Sequence, residues 1–284
     1  MLQPTTKTDL HIHTAASDGT WEPERLILEI KQAGIGFFAV TDHDTTAGVP
    51  TVQKQAREEG LVFIPGVEVS STYQGELFHI LGYGINLAHQ PLLELLRSNT
   101  DMMIQKDDNT ILMLIENGYS IDFQDYLKYE DVSGRGGWKA LNYLIETGVC
   151  RDVGDFFKRI FNGDRKMPFP IFQEPREVIA EIQDAGGVPV LAHPAGNMNG
   201  MLDLQETLEN FRLWGIQGIE CYHPEHTPEK ARFCVEWCLE KGLDITGGSD
   251  CHGDFITRRR LGLPDITIQQ LKLERLQKWL INFI

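Results

Sequence analysis

Residues 8–13 read TDLHIH, and residues 248–252 read GSDCH. Side chains of an extended strand alternate faces, so His11 and His13 point the same way, and Asp250 and His252 do likewise. Working outward, the same type of residue ends other short apolar runs. His43 follows GFFAVT, Glu68 lies in LVFIPGVEVSS, His79 in ELFHILGYG and His193 at the end of VPVLAH, while Asp18 sits in the loop after the first strand. Six of the nine histidines and three carboxylates are thus placed at strand tips. Nine such groups arriving in this way predict a metal cluster.

Between these runs lie amphipathic helical stretches near 23–33, 47–59, 203–213 and 227–241, with a closing helix expected over about 267–282. Strands alternating with helices at this spacing predict parallel strands joined by right-handed crossovers. Seven or so strands make a closed or nearly closed barrel, in which functional residues collect at the downstream strand ends. First and last strands are then neighbours, and His11, His13, Asp250 and His252 converge. LVFIPGVEVSS and ELFHILGYG have no helix between them and are expected to pair directly. Residues 86–172 break the rhythm. A long helical stretch from Pro91 to Gly118 and shorter pieces near 123–129, 136–147 and 153–161 read as a helical insertion. The expected division is a barrel of residues 1–85 and 173–284 and an insertion of 86–172.

The chain has 284 residues, 42% apolar and 24% charged, as a soluble α/β protein does. A net charge of −15, from 41 acidic and 26 basic residues, argues against a broad nucleic-acid surface. Bound cations invert the local field, so a small phosphorylated substrate stays compatible with it. No membrane span is expected, and the amino end lacks a secretory pattern, which predicts a cytoplasmic protein. The five cysteines form no C-x-x-C pair. Cys234 and Cys238 share a helix face and read as core, and Cys251 points away from its ligand neighbours.

Imidazole and carboxylate without thiolate suit Zn, Mn, Fe or Ni. Nine ligands exceed what one tetrahedral ion uses, so two or three ions are expected, with Glu68 as the bridge. The series DLHIHTAASDG, TDHD, PGVE, AHP and GSDCH resembles the motifs of the PHP (polymerase and histidinol phosphatase) superfamily over the whole chain. Within it, the chain is similar to stand-alone bacterial phosphoesterases acting on 3′,5′-bisphosphonucleotides or RNA 5′ ends. The resemblance implies a distorted (β/α)7 TIM-like barrel and a trinuclear Mn, Fe or Zn centre. By position, it implies that His11, His13, Glu68 and Asp250 hold one ion. Asp18, His43 and His252 hold a second, and Glu68, His79 and His193 a third.

Around the cluster, Asp42 or Asp44 could orient a ligand imidazole, and Asp44 could equally cap a turn. His226 matches a histidine that similar proteins carry near the substrate phosphate, and is expected to bind substrate or donate a proton. His223 reads as structural or solvent-facing and His89 as a surface residue. Similar proteins often have R-P-H where this chain has Arg135-Gly136-Gly137, and G-x-G-K-P where it has NGDRKMP. Arg135, Arg165 and Lys166 are therefore the expected phosphate partners, and His226, Arg135 and Asp250 the expected catalytic residues. Gly247-Gly248 lacks the rest of a nucleoside-triphosphate loop and reads as a place where backbone passes close to the cluster.

The expected reaction is phosphoester hydrolysis. Divalent ions bind the phosphoryl oxygens and deprotonate a bridging water that attacks phosphorus in line, with no covalent nucleophile. A nucleoside 3′,5′-bisphosphate or the 5′ end of a short RNA is the leading substrate. Histidinol phosphate is the alternative within the same chemistry, and a non-catalytic metal-binding module the alternative of another class.

Overall fold

The computed structural model describes residues 2–130, 132, 134–161, 169–196 and 201–277. Seven strands lie in one sheet in chain order: β1 (Lys7–Asp9), β2 (Ile35–Val40), β3 (Val62–Tyr73), β4 (Glu76–Tyr83), β5 (Val188–Leu191), β6 (Gly218–Tyr222) and β7 (Asp244–Gly247). The chain just past β7 pairs with the chain just past β1. Leu10 N–H donates to Gly247 O at 3.1 Å, Asp250 N–H to His11 O at 2.8 Å and His13 N–H to Cys251 O at 2.9 Å. First and last strands are therefore neighbours, as a barrel requires.

The strands are parallel except β4, which is antiparallel to both β3 and β5. No helix intervenes between β3 and β4, and a two-residue turn at Gln74-Gly75, both with positive φ, joins them as a hairpin. The direct pairing expected of these two segments is thus an antiparallel one. Reversal also changes the reason for His79's placement: it lies in the upstream half of β4, which an antiparallel strand brings to the same end of the barrel as its neighbours' downstream ends.

Helices α1 (Pro23–Gln32), α2 (Val49–Glu58), α8 (Met201–Leu213) and α9 (Pro228–Lys241) form where helical periodicity predicts them. The helices α1, α2 and α9 open with Pro in the first turn, where its missing N–H costs nothing. Thr227 caps α9 by accepting from Lys230 N, and Gly242 ends it in the left-handed region. Strand alternation divides the core into layers. In β2, Phe37 and Ala39 join Ile64, Leu81, Tyr83 and Val190 in one cluster, while Phe38 and Val40 face α1 and α2 with Ile30 and Val52. Cys234 and Cys238 lie in the core as expected, and Cys251 packs with Ile12 and Trp21.

The insertion contains α3 (Gln90–Glu116), α4 (Phe123–Lys128), α5 (Lys139–Glu146) and α6 (Val153–Asp155), the last running into a wider π turn over Phe156–Phe161. Its apolar residues, among them Ile111, Leu114, Tyr126, Leu144 and Phe156, make a core of their own. A further helix, α7 (Pro175–Asp184), covers β3, β4 and β5 and was not foreseen.

The closing helix is corrected by the structure. Described residues 267–277 contain a 3-10 turn (Ile268–Gln270) and a bridge of Lys272 to Ile245, and Leu273 and Leu276 enter the barrel cluster. The apolar spacing reflects that insertion rather than a helix face. Residues 278–284 lie outside the described chain. No described helix is long and apolar enough to cross a membrane.

Gly248 fixes how closely the last strand approaches the first. A Cβ there would fall 2.4 Å from both the His11 backbone nitrogen and His11 Cβ. Gly248→Ala is expected to destabilise the protein by roughly 1–3 kcal/mol or more, as overpacking does. Denaturant unfolding that leaves the midpoint unchanged would disprove the close approach.

Candidate metal centre

The nine expected ligands all reach one end of the barrel. Glu68 is fully buried at its centre. Its Oε2 lies 3.1 Å from His11 Nε2, 3.2 Å from His13 Nε2 and 3.2 Å from His43 Nδ1. Its Oε1 lies 3.0 Å from His193 Nε2 and 3.3 Å from His79 Nδ1. Asp250 Oδ1 adds to the first side at 3.1 Å from His13 Nε2, and Asp18 Oδ2 sits 3.3 Å from His252 Nε2.

Three sets have ligand atoms within 4.8 Å of one another: His11, His13, Glu68 and Asp250; His13, Asp18, His43 and His252; and His43, Glu68 and His79. The first agrees with the expected set. The second adds His13 to the expected residues. The third has His43 in the place expected for His193, which instead joins through Glu68 Oε1.

These residues fit divalent cations. Ligand atoms converge on one point: His11 Nε2 and His13 Nε2 are 3.2 Å apart, and both face Glu68 Oε2. His13 Nδ1, His43 Nδ1 and Asp250 Oδ1 are buried without a hydrogen-bond partner, a costly state that coordination relieves. The electrostatics ask for positive charge. Burial opposes ionisation of Glu68, but His11, His43 and His79 together hold its carboxyl well below the ordinary range. Burial likewise opposes a charge on His13, yet Asp250 and Glu68 push its imidazole up to about 10. His43 is held down to about 3, chiefly by burial. His193 and Asp250 have φ of +28° and +52°, a left-handed backbone rare outside glycine that clusters at functional sites.

A second layer supports the ligands. Glu220, on β6, faces His11 Nδ1 with Oε1 at 3.0 Å and accepts from His193 N–H with Oε2 at 2.8 Å. It fixes which His11 nitrogen faces the cluster, as carboxylates behind metal-binding imidazoles do. Asp42 accepts from Thr14 N–H and from the Thr14 and Ser17 hydroxyls, holding the loop that leads to Asp18. Asp44 accepts from Ser70 N–H, the Ser70 hydroxyl and Asn99 Nδ2, joining the His43 segment to β3 and α3. The two aspartates organise ligand loops rather than ligand rings.

Sequence reasoning underrated His223 and passed over Glu220 and Arg259. His223 is buried, not solvent-facing, with Nε2 3.2 Å from Asp250 Oδ2. Arg259 Nη1 also meets Asp250 Oδ2. The sequence signal for Glu220 was its place in the strand run IQGIECY, and for Arg259 the arginine triplet at 258–260 just past GSDCH.

His226 needs correction as a proton donor. Ala195 N–H donates to its Nε2 at 3.2 Å, and its Nδ1 donates to Cys221 O at 3.0 Å. Burial, first of all, presses this imidazole down to about 4. A neutral ring with both nitrogens engaged ties two loops together, and its one N–H is committed to Cys221 O. Arg135 is also placed differently from expectation. Its guanidinium meets Glu146 and the Tyr129 hydroxyl within the insertion, and it does not line the cavity described below. Arg165 and Lys166 lie outside the described residues. His89 caps α3 at the surface.

A cavity of about 1010 Å³ opens between the cluster and the insertion. Asp18, His43, His79 and His252 form its floor, and Trp138, Phe157, Phe169, Phe172 and Phe255 line it with aromatic surface. Gly136 and Gly137 dock the insertion onto this floor. Gly137 N–H donates to Asp18 O at 2.8 Å, and a Cβ on Gly136 would meet Phe255 Cβ at 2.7 Å. Both have positive φ.

The PHP domain family matches residues 9–188. A 5′-3′ exoribonuclease of Haemophilus influenzae is 29% identical over 87% of this chain and 90% of its own. A phosphoribosyl 1,2-cyclic phosphate 1,2-diphosphodiesterase of Eggerthella lenta is 29% identical over 87% and 94%. A 3′,5′-nucleoside bisphosphate phosphatase of Chromobacterium violaceum is 26% identical over 86% of each. Among solved structures, a Bifidobacterium adolescentis protein described as a metal-dependent phosphoesterase superposes with a TM-score of 0.80, at 25% identity, over 99% of this chain and 98% of its own. The ligand geometry and these likenesses agree: the chain belongs to the PHP domain family and is a metal-dependent hydrolase of phosphoric ester bonds.

Proposed function

We propose that the substrate is a small nucleotide, a nucleoside 3′,5′-bisphosphate or the 5′ end of a short RNA. The observation that carries this reading is the cavity. Its floor is the ligand cluster, which suits a phosphoryl group, and its walls are aromatic, which suits a base. Exonuclease and bisphosphate phosphatase relatives support the same class. The acidic chain speaks against a long polynucleotide track, so one nucleotide end is the unit recognised.

In this reading two or three Mn, Fe or Zn ions would be held by His11, His13, Glu68 and Asp250, by Asp18, His43 and His252, and by Glu68, His79 and His193. When bound, such ions neutralise phosphoryl oxygens and lower the pKa of water toward about 7. The chain's own residues do the rest. Glu68 divides its two oxygens between two sides of the cluster, so one carboxylate sets the spacing of both. Glu220 orients His11 and holds the His193 backbone. Phe255, seated against Gly136-Gly137, and Trp138 give the cavity an apolar wall. Residues 86–172 act as a cap that carries the aromatic wall.

Protein loaded with Mn is expected to release phosphate or nucleotide from a panel of nucleoside 3′,5′-bisphosphates and short 5′-phosphorylated RNAs, and to lose that activity on chelation. A preference for histidinol phosphate or a 1,2-cyclic ribose phosphate would overturn the substrate choice. Trp138→Ala is expected to raise KM for a nucleotide about 5- to 100-fold, as losing about 1–3 kcal/mol of base stacking does, while changing a small non-aromatic phosphomonoester little. Equal effects on both substrates would remove Trp138 from base recognition. Glu220→Gln should weaken metal affinity or activity by about 10- to 100-fold, and isothermal titration with Mn measures it directly.

A further inference from the structure

Among the described lysines and arginines, Arg259 alone combines a place in the cavity wall with contact to a ligand carboxylate. The other cations of the wall are committed or remote. Lys139 donates to Leu127 O at 3.2 Å and lies over the Tyr126 ring, and Arg258 is 72% exposed against 17% for Arg259. Arg259 is also held from behind. Its Nε and Nη2 donate to Glu225 Oε1 at 3.2 and 3.0 Å, and its Nη1 meets Asp250 Oδ2. Asp250 is thereby divided. Oδ1 faces His13 Nε2 at 3.1 Å and His11 Nε2 at 3.5 Å, while Oδ2 is taken by His223 and Arg259.

A guanidinium carries five N–H donors in a fixed plane. The contacts with Glu225 and Asp250 use three, leaving two on the Nη atoms of a side chain already fixed in place. Such a fork matches two oxygens of a phosphate, which an ammonium cannot do.

We propose that Arg259 binds the substrate phosphate at this site, using the donors that Glu225 and Asp250 leave over, and positions Asp250 with the same guanidinium. The inference rests on the phosphoesterase reading and adds the residue that grips the anion beside the cluster. Arg259 takes the part that sequence similarity had given to Arg135. Glu225 acts as its anchor. Once cations satisfy Asp250, the positive charge of Arg259 is directed at the phosphoryl oxygens.

The test uses Mn-loaded wild type, Arg259→Lys and Arg259→Ala. Bound metal is measured by elemental analysis, inorganic phosphate affinity by calorimetry, and KM and kcat with a nucleoside 3′,5′-bisphosphate. Both variants are expected to keep their metal. Phosphate affinity should fall about 10- to 100-fold, the range for a lost hydrogen bond to a charged group, with Arg259→Lys at the smaller end. KM should rise by more than kcat falls. Unchanged phosphate affinity with intact metal content would overturn the proposal. So would phosphate binding that declines only in step with lost metal, since Arg259 would then merely support Asp250. If wild type itself, loaded with Mn, neither binds phosphate nor cleaves any ester, the phosphoesterase reading falls and takes this one with it.

Discussion

Glu68 sits in the barrel mouth with no exposed surface and five imidazole nitrogens within 3.3 Å of its two oxygens. A dehydrated carboxylate is among the costliest groups a fold can bury, and it persists only where opposite charge surrounds it. The rest of the site answers to that need. His11 and His13 come from beyond β1, His43 from beyond β2, His79 from β4 and His193 from beyond β5, so four separate segments must close around β3 before the charge is compensated. Without cations, the neighbouring carboxylates push His11, His13 and His79 toward the charged form while burial keeps His43 and His193 below the ordinary range; with cations, all five would serve as neutral ligands. The same geometry serves both states, which is why orphaned buried nitrogens coexist with close imidazole pairs.

The reversed strand β4 is the local device that makes this possible. A parallel strand following β3 would need a crossover of a dozen or more residues and would present only its downstream end to the mouth. A hairpin returns at once, with Ser70 opposite His79 and Leu81 opposite Glu68. His79 therefore comes back beside Glu68 without a helix in between. The long β3 continues past the barrel, where Asp44 and Asn99 fasten it to α3. Barrel, hairpin and insertion thus meet at one place, and the cavity lies between them.

Much of this was legible because strand alternation and strand-end placement are local rules: they name His11 with His13 and Asp250 with His252 from spacing alone. Residues whose role depends on distant geometry were not legible. Glu220 lies inside an apolar run and looks like any strand residue until its carboxylate is seen 3.0 Å from His11 Nδ1. His223 and His226 are three apart on one loop, and sequence could not say that the first turns to Asp250 while the second is consumed by backbone. Arg135 was read from a motif position, yet its partners are Tyr129, just past α4, and Glu146 on α5, both within the insertion. The closing segment failed for a related reason. Apolar spacing reports which side chains are buried, and a bridge followed by a turn, placing Leu273 and Leu276 in the barrel cluster, buries much the same pattern as a helix.

The acidity of the chain takes on a different meaning once these contacts are known. Asp9 accepts from Ser249 N–H and Gly262 N–H, Asp42 from Thr14 N–H, Asp44 from Ser70 N–H and Glu220 from His193 N–H. Each is a buried carboxylate fastening the backbone of a ligand-bearing segment. Burial pushes Asp9 up to about 6 and raises Asp42 and Asp44 as well, because water is missing and no cationic side chain is hydrogen-bonded to them. Backbone donors can hold a carboxylate in place without consuming the imidazoles that the cluster needs, whereas lysine or arginine at these four positions would compete with metal for the ligand carboxylates. A site meant to gather cations is therefore braced with acids. Arg259, whose guanidinium reaches its edge, is kept on the outer oxygen of Asp250 and tethered to Glu225.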